Sequence, residues 1–476
     1  MTIDSGWVQI FKKEVPSAFV QMCPFRPKVA YIDGMPLLMV AEGRVSRWND
    51  YVRSNFVQCI LRMFKLGCEA VVLAFDEYDY VPRAKSITQA NRTKAKASYE
   101  FGEGCLLPPT MPDKFNDKLA NRVFKRRVID MICNSVVQHI SHMDASSKDR
   151  AFIIDYSNCP IRFACEAGST SFSASQPDFM TSLAPMGEAD VKFLRWAELF
   201  QGDILAYSVD GDFIPIALIR YERNRRNIEG GIPYRLALYR LKCRLPEKKL
   251  SGTKRTSVEP PTTTTTTKKK NAREYEYVNI PVLYEGLCHK STLTTDMNLV
   301  AVMIALSGTD FTRSMPQIGP STLWSMLNQN KAIFKGLLKS FDHENKCLII
   351  EEACNSVAAP IYASKYASHM QNQTSSKDIT VVTSMLKGSR SLSEKTKNDI
   401  PSPLRLQTTF KNINWLLQYW QCRDPVKREA EGDESSIWDY SSCYPDPIHE
   451  DYGFSTHKSC KGRVVWSDEA EISNKG

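Results

Sequence analysis

The chain has 476 residues, 42% apolar and 24% charged, a balance that builds a folded core rather than a disordered chain. Sixty-two Lys and Arg against 53 Asp and Glu leave a net charge of +9, a mild excess that bears on a polyanionic partner only where it clusters. No stretch approaches the roughly 18 apolar residues of a membrane span, and the opening MTIDSGWVQIFKKEVPSAF, with an early acid and no continuous apolar run, is not expected to be a secretion signal.

Four segments read as buried parallel strands: KVAYID (28–33), AVVLAFD (70–76), AFIIDYS (151–157) and ILAYSVD (204–210). Each is a short apolar run without polar alternation. Helical patterns lie between them. WNDYVRSNFVQCILRMFKLG (48–67) is the first, with Gly67 as its expected stop. Alternating strands and helices predict an α/β fold around a parallel sheet. Residues 83–127 interrupt the alternation: RAKSITQANRTKAK and KFNDKLANRVFKRR, basic and helix-compatible, flank the hinge FGEGCLLPPTMP. Surface helices are often charged, but here the charge has one sign and follows a strand-end Asp. Residues 244–275, with a Thr run and Lys clusters, form a low-complexity linker that cannot build a core. MNLVAVMIALSGTD (297–310) opens a helical unit; 341–410 carries little pattern; beyond 411 the chain reads as an irregular, aromatic-anchored extension. The 14 Cys lack CxxC pairs and are expected as free thiols, and neither Cys288–His289 nor the set Cys443, His449, His457, Cys460 has zinc-site spacing.

The chemistry-bearing signal is acidic. Each strand has an Asp at or near its C-terminal end, where open α/β sheets form their ligand crevice, so Asp33, Asp76, Asp155 and Asp210 are expected to meet there. Asp210 and Asp212 flank a Gly, which alone is only a turn signal. Glu188 and Asp190 open GEADVKFLRWAELF (187–200), where acids also complement a helix dipole. Asp33, Asp76, Glu188, Asp190, Asp210, Asp212 and Asp310 form a set of seven carboxylates expected to converge at one rim. So many cannot all stay ionised at one rim without cations, and hard oxygen donors select Mg²⁺ or Mn²⁺. Two such ions about 4 Å apart clamp the attacking and leaving oxygens of a phosphodiester.

In order along the chain, these motifs resemble those of the XPG-like flap endonucleases within the PIN-like nuclease fold. YIDGM is similar to the first Asp motif (Asp33), and FDEYDYVPRAKSITQANR to the second Asp followed by a basic arch (Asp76, Lys85, Arg92). GEAD resembles the internal acid pair, and SVDGDFIPIAL the next. LSGTDFTRSMPQIGPSTLW resembles the last Asp (Asp310) and a helix–two-turn–helix around Ile318 and Gly319. Even SGWVQIFKKEVPSAF resembles the family's opening, and the likeness spans about residues 5–330. It departs in several places, among them Gly6, preceded by five residues where the family's Gly is near the start, and the segments 83–127 and 244–275, longer or more divergent than expected. MPQIG keeps one turn glycine where the family has two, Met39 stands where a stacking Tyr is usual, and VPRAK also resembles the 5′–3′ exoribonucleases.

The resemblance implies a PIN-like core over 1–245 with a basic helical arch near 83–127, the linker 246–275, a helix–two-turn–helix region over 276–340 and a C-terminal extension over 341–476. It implies two Mg²⁺ ions, with Mn²⁺ as the alternative, held by Asp33, Asp76, Glu188, Asp190, Asp210, Asp212 and Asp310. Lys85 and Arg92 would assist catalysis, and Arg83, Lys94, Lys96, Lys125, Arg126, Arg127, Ile318 and Gly319 would contact nucleic acid. The expected activity is structure-specific 5′ cleavage of branched or 5′-ended DNA. The alternatives are a 5′–3′ exoribonuclease acting on RNA and a non-catalytic nucleic-acid-binding scaffold. QTTFKNIN (407–414) lacks the paired aromatics of a sliding-clamp peptide, and the Lys-rich stretches 242–256 and 268–270 are read as a nuclear signal, with the cytoplasm as the alternative.

Overall fold

A computed structural model of the chain describes residues 6–39, 46–77, 99–142, 150–156, 161–165, 173–174, 187–200, 202–227, 235–241, 275–289, 296–309, 312–370, 378–421, 426–428, 437–439, 454–456 and 464–466. The principal strands are β1 (Phe19–Val20), β2 (Val29–Asp33), β3 (Ala70–Ala74), β4 (Arg150–Asp155), β5 (Ile161–Cys165), β6 (Ser173–Ala174), β7 (Ile204–Tyr207), β8 (Leu236–Leu241) and β9 (Tyr275–Asn279). The helices used below are α1 (Gly6–Glu14), α2 (Gly34–Met39), α3 (Gln58–Lys65), α4 (Arg122–Ser141), α5 (Ala189–Leu199), α6 (Phe213–Asn227) and α7 (Ile280–His289). They continue with α8 (Met297–Leu306), α9 (Pro320–Gln329), α10 (Lys331–Ser340), α11 (Ala359–Lys365), α12 (Ile379–Gly388) and α13 (Pro403–Trp420).

Among the described residues, one nine-stranded sheet runs in the order β1-β9-β8-β7-β2-β3-β4-β5-β6. Its centre, β8-β7-β2-β3-β4, is parallel. The flanking pairs are antiparallel. The chain moves outward from β2 through β3 to β4, then returns to the other side of β2 to lay down β7 and β8. Strand order therefore reverses between β2 and β7, and the crevice of an open α/β sheet lies at the C-terminal ends of such a pair.

The strands are apolar throughout because both faces are covered. Val29, Tyr31, Val72, Ala74, Ile204 and Ala206 pack on one side with α1 and α5 to α8. Ala30, Ile32, Val71, Leu73, Leu205 and Tyr207 pack on the other with α3 and α4. The helix expected over 48–67 forms as Trp48–Val52, a π segment Arg53–Val57 and α3, and it stops at Gly67, whose φ of 101° is open to glycine and costly for other residues. The side chain of Asn121 accepts from the Phe124 amide at 2.9 Å and so starts α4, which buries Phe124, Val128, Ile129, Ile132, Val136 and Ile140 at helical spacing.

The C-terminal helices are not a separate appendage. Residues of α10 to α13, including Phe410, Ile413, Leu416, Leu417 and Trp420, share one continuous core with α8 and the sheet. Each such side chain contributes about 1.5–3 kcal/mol on burial. The side chain of Ser402 caps α13 by accepting from the Arg405 amide at 3.2 Å. No helix among the described residues is long and apolar enough to cross a membrane.

Candidate active site

β2 ends at Asp33, which is buried. One carboxylate oxygen accepts the Met35 amide at 3.0 Å and the other the Ser208 hydroxyl at 3.1 Å. Gly34 is required by space: a Cβ there would lie 2.5 Å from the Phe75 ring. Ser208 also accepts the Asp210 amide at 3.2 Å, and Asp210 accepts the Asp212 amide at 3.2 Å. The Asp-Gly-Asp sequence is thus a side-chain-stabilised turn. The same turn sets an exposed Asp210 and a half-buried Asp212 beside the end of β2.

α5 brings the next acids. Asp76, just beyond β3, accepts the Ala189 amide at 3.1 Å, and the Tyr31 hydroxyl donates to the Ala189 carbonyl. The Glu77 amide bonds the Gly187 carbonyl at 2.6 Å. Glu188 occupies the N-cap and is buried, accepting the Tyr419 hydroxyl at 2.7 Å from α13. Asp190 lies in the first turn of α5, where a negative charge complements the helix dipole.

Asp155, expected at the same rim, is turned away into the core. Its carboxylate accepts Lys192 at 3.0 Å, Arg195 at 2.7 Å and the Trp196 indole N–H at 2.6 Å. Lys192 also donates to the Phe75 carbonyl at 2.9 Å and lies 3.6 Å from Glu77. Burial pushes the Asp155 carboxyl up, but Lys192 and Arg195 outweigh it and hold the group below the usual carboxylate range. Lys192, Arg195 and Trp196 follow Glu188 at helical spacing, so one face of α5 carries both the anchor and the acid.

The opposite electrostatics hold at Asp33. Burial raises its carboxyl well above the usual range, and the charge of Asp76 raises it further. The Met35 amide opposes this, while Asp190 and Asp210 add to it. Acids from three other chain segments therefore act on one buried carboxylate. The donor chemistry fits a hard divalent cation such as Mg²⁺ or Mn²⁺. Among the described residues, no three His, Cys, Asp or Glu side chains stand close enough to grip an ion as they are.

Asp310, Lys85, Arg92, Arg83, Lys94 and Lys96 lie outside the described residues. Lys125, Arg126 and Arg127 occupy the first turns of α4, beside the buried Phe124 and Val128, so their helix is docked on the sheet. Arg127 donates to the Glu103 carbonyl at 3.0 Å. The Ile318 side chain is buried and its amide bonds the Met315 carbonyl at 3.0 Å. Gly319 is exposed and caps α9, with room around an added Cβ. Gln317 stands at φ 66°, a conformation glycine adopts freely, and its side chain bonds Asp399 at 2.6 Å. Tyr362 and Lys365 of α11 donate to the Pro316 and Gln317 carbonyls.

The sequence reading missed Ser208, Tyr31, Lys192, Arg195 and Tyr419. For Lys192 and Arg195 a signal existed: two cations on an otherwise apolar helix, with a strand-end Asp needing a partner.

No family profile and no curated protein matches the chain. Among solved structures it is similar to the catalytic core of Rad2 in complex with DNA substrate, at 13% identity and TM-score 0.32, over 82% of this chain and 97% of that one. A second complex of that core matches at 12% and 0.32, with the same coverage. The T5 D15 protein co-crystallised with metal ions matches at 11% and 0.29, over 63% of this chain and 74% of that one. These likenesses are low on both measures, so the functional reading rests on the chain's own side chains.

Asp155→Ala would leave Lys192 and Arg195 buried without their shared carboxylate. It is expected to lower the unfolding free energy by about 3–5 kcal/mol in urea titrations. A loss below about 1 kcal/mol would mean that α5 is held chiefly by its apolar face.

Proposed function

We propose that the chain is a divalent-metal-dependent 5′ nuclease of the XPG-like kind, cleaving phosphodiester bonds in branched or 5′-ended DNA. The observation that carries this reading is the placement of the buried Asp33 at the reversal in strand order, with Asp210 linked to it through Ser208 and Asp76 held by the Ala189 amide just past the adjacent strand β3. Asp33, Asp76, Glu188, Asp190, Asp210, Asp212 and Asp310 are the proposed metal ligands. Bound divalent ions would neutralise the charge that grows on a phosphodiester as it is cleaved.

The chain's own residues prepare this site. Ser208 and the Met35 amide orient Asp33, and Asp76 is fixed by the Ala189 amide. Lys85 and Arg92 lie seven positions apart, about two helical turns, and would share one helix face. From there they would donate to the scissile phosphate as its charge grows. Arg83, Lys94 and Lys96 would line the path of a single strand. Lys125, Arg126 and Arg127 would hold backbone phosphates, and Gly319, at the start of α9, would let a duplex backbone come close without reading its sequence.

Purified protein with Mg²⁺ should cleave flap or 5′-ended DNA in preference to RNA of the same shape; preference for 5′-monophosphate RNA would favour the exoribonuclease alternative. Asp210→Ala and Asp212→Ala should each abolish cleavage yet retain substrate binding, as read by gel shift. Near-normal turnover in both would reduce the pair to a turn.

Lys85→Ala and Arg92→Ala should each slow single-turnover cleavage at saturating enzyme by at least about tenfold, or about 1.4 kcal/mol, with affinity little changed. Replacing Lys125, Arg126 and Arg127 should instead weaken binding and flatten its salt dependence. Equal losses of affinity with no slowing at saturation would make Lys85 and Arg92 ordinary phosphate contacts.

A further inference from the structure

We propose that Tyr419 is a positioning residue of the metal site, so that the C-terminal helix α13 is a working part of the nuclease. This deepens the reading above and rests on Glu188 being a metal ligand. The Tyr419 hydroxyl donates to Glu188 Oε2 at 2.7 Å across 231 positions of sequence. Both residues are about 1% exposed, so the bond is made away from water. A hydroxyl-to-carboxylate bond is charge-assisted and directional.

The donor is itself held in place. The Tyr419 ring stacks on Trp415 with centroids 5.1 Å apart and planes 12° apart. Leu416, Leu417 and Trp420, on either side of it, are buried. The acceptor sits at the N-cap of α5, outside the regular helix, where the backbone alone leaves a long side chain several rotamers. Tyr419 selects one of them. A carboxylate has about four acceptor positions, so one hydroxyl bond is compatible with ligating a cation. Partners of this type orient metal ligands, and removing one typically costs 10–100-fold in metal affinity or activity. α13 therefore reaches from the C-terminal helices to the cap of the helix that carries two proposed ligands, Glu188 and Asp190.

The test uses the full chain without DNA, with free Mn²⁺ followed by electron paramagnetic resonance during titration. Tyr419→Phe keeps the ring and its stacking and removes only the hydroxyl. The expected result is Mn²⁺ affinity lowered by about tenfold or more, with thermal unfolding in the absence of metal close to that of the parent chain. In a Glu188→Gln background the same change should have no further effect, and this comparison between two altered chains holds whatever Tyr419→Phe does to stability. Unchanged or tighter Mn²⁺ binding in Tyr419→Phe would overturn the proposal, since the bond would then be packing or a restraint that competes with the ion. If Asp33→Asn and Glu188→Gln also leave Mn²⁺ binding intact, the metal-site reading itself fails and the positioning role falls with it.

Discussion

Asp155 ends β4 with its carboxylate shared by Lys192, Arg195 and Trp196, and the position of α5 follows from that cluster. An isolated charge in this core would be prohibitive, and each cation on α5 is tolerable only where the carboxylate is. Such an ensemble adds less to net stability than its contacts suggest, because desolvation offsets much of the attraction. What it does supply is register. α5 cannot rotate or slide along the sheet without separating buried charges, so its N-terminus stays over the ends of β2 and β3. Asp76 and Tyr31 then engage Ala189 from below, one through the amide and one through the carbonyl.

With α5 fixed, crowding at Asp33 is unavoidable. The sheet offers one buried carboxylate at the reversal of strand order, and the neighbouring turn and helix start each aim acids toward it. The fold pairs one acid, Asp155, with two cations and leaves the next, Asp33, surrounded by its own kind. The first arrangement serves structure. The second holds electrostatic repulsion that a bound divalent cation would relieve. The C-terminal helices reach the start of α5 through the Tyr419–Glu188 bond, because α13 shares the core with α8 and the sheet.

Much of this was legible in the sequence. The strands KVAYID, AVVLAFD and ILAYSVD announced themselves because burial on both faces demands continuous apolar runs, and their terminal acids stood out against that background. Asp155 misled because position at a strand end is a one-dimensional cue. Its role depends on Lys192 and Arg195, which the fold brings to it across 37 and 40 positions. The C-terminal helices were illegible for a related reason. Their apolar residues pack against several elements at once, so no single helical stripe marks them. The burial of Ile318 was hidden in the sequence because a turn that reads as polar punctuation here folds its apolar residue inward. Tyr419 carried no local signal, since its partner lies 231 positions away.

The most direct measurement of the central claim is the position of the ion. A crystal of the full chain soaked in Mn²⁺ and recorded at an energy where manganese scatters anomalously would locate it. The account predicts anomalous density at the C-terminal ends of β2, β3 and β7, within coordination distance of Asp33 and of at least one of Asp76, Glu188, Asp190 and Asp210. Saturating Mn²⁺ with no density there, or with density only at surface carboxylates elsewhere, would contradict it.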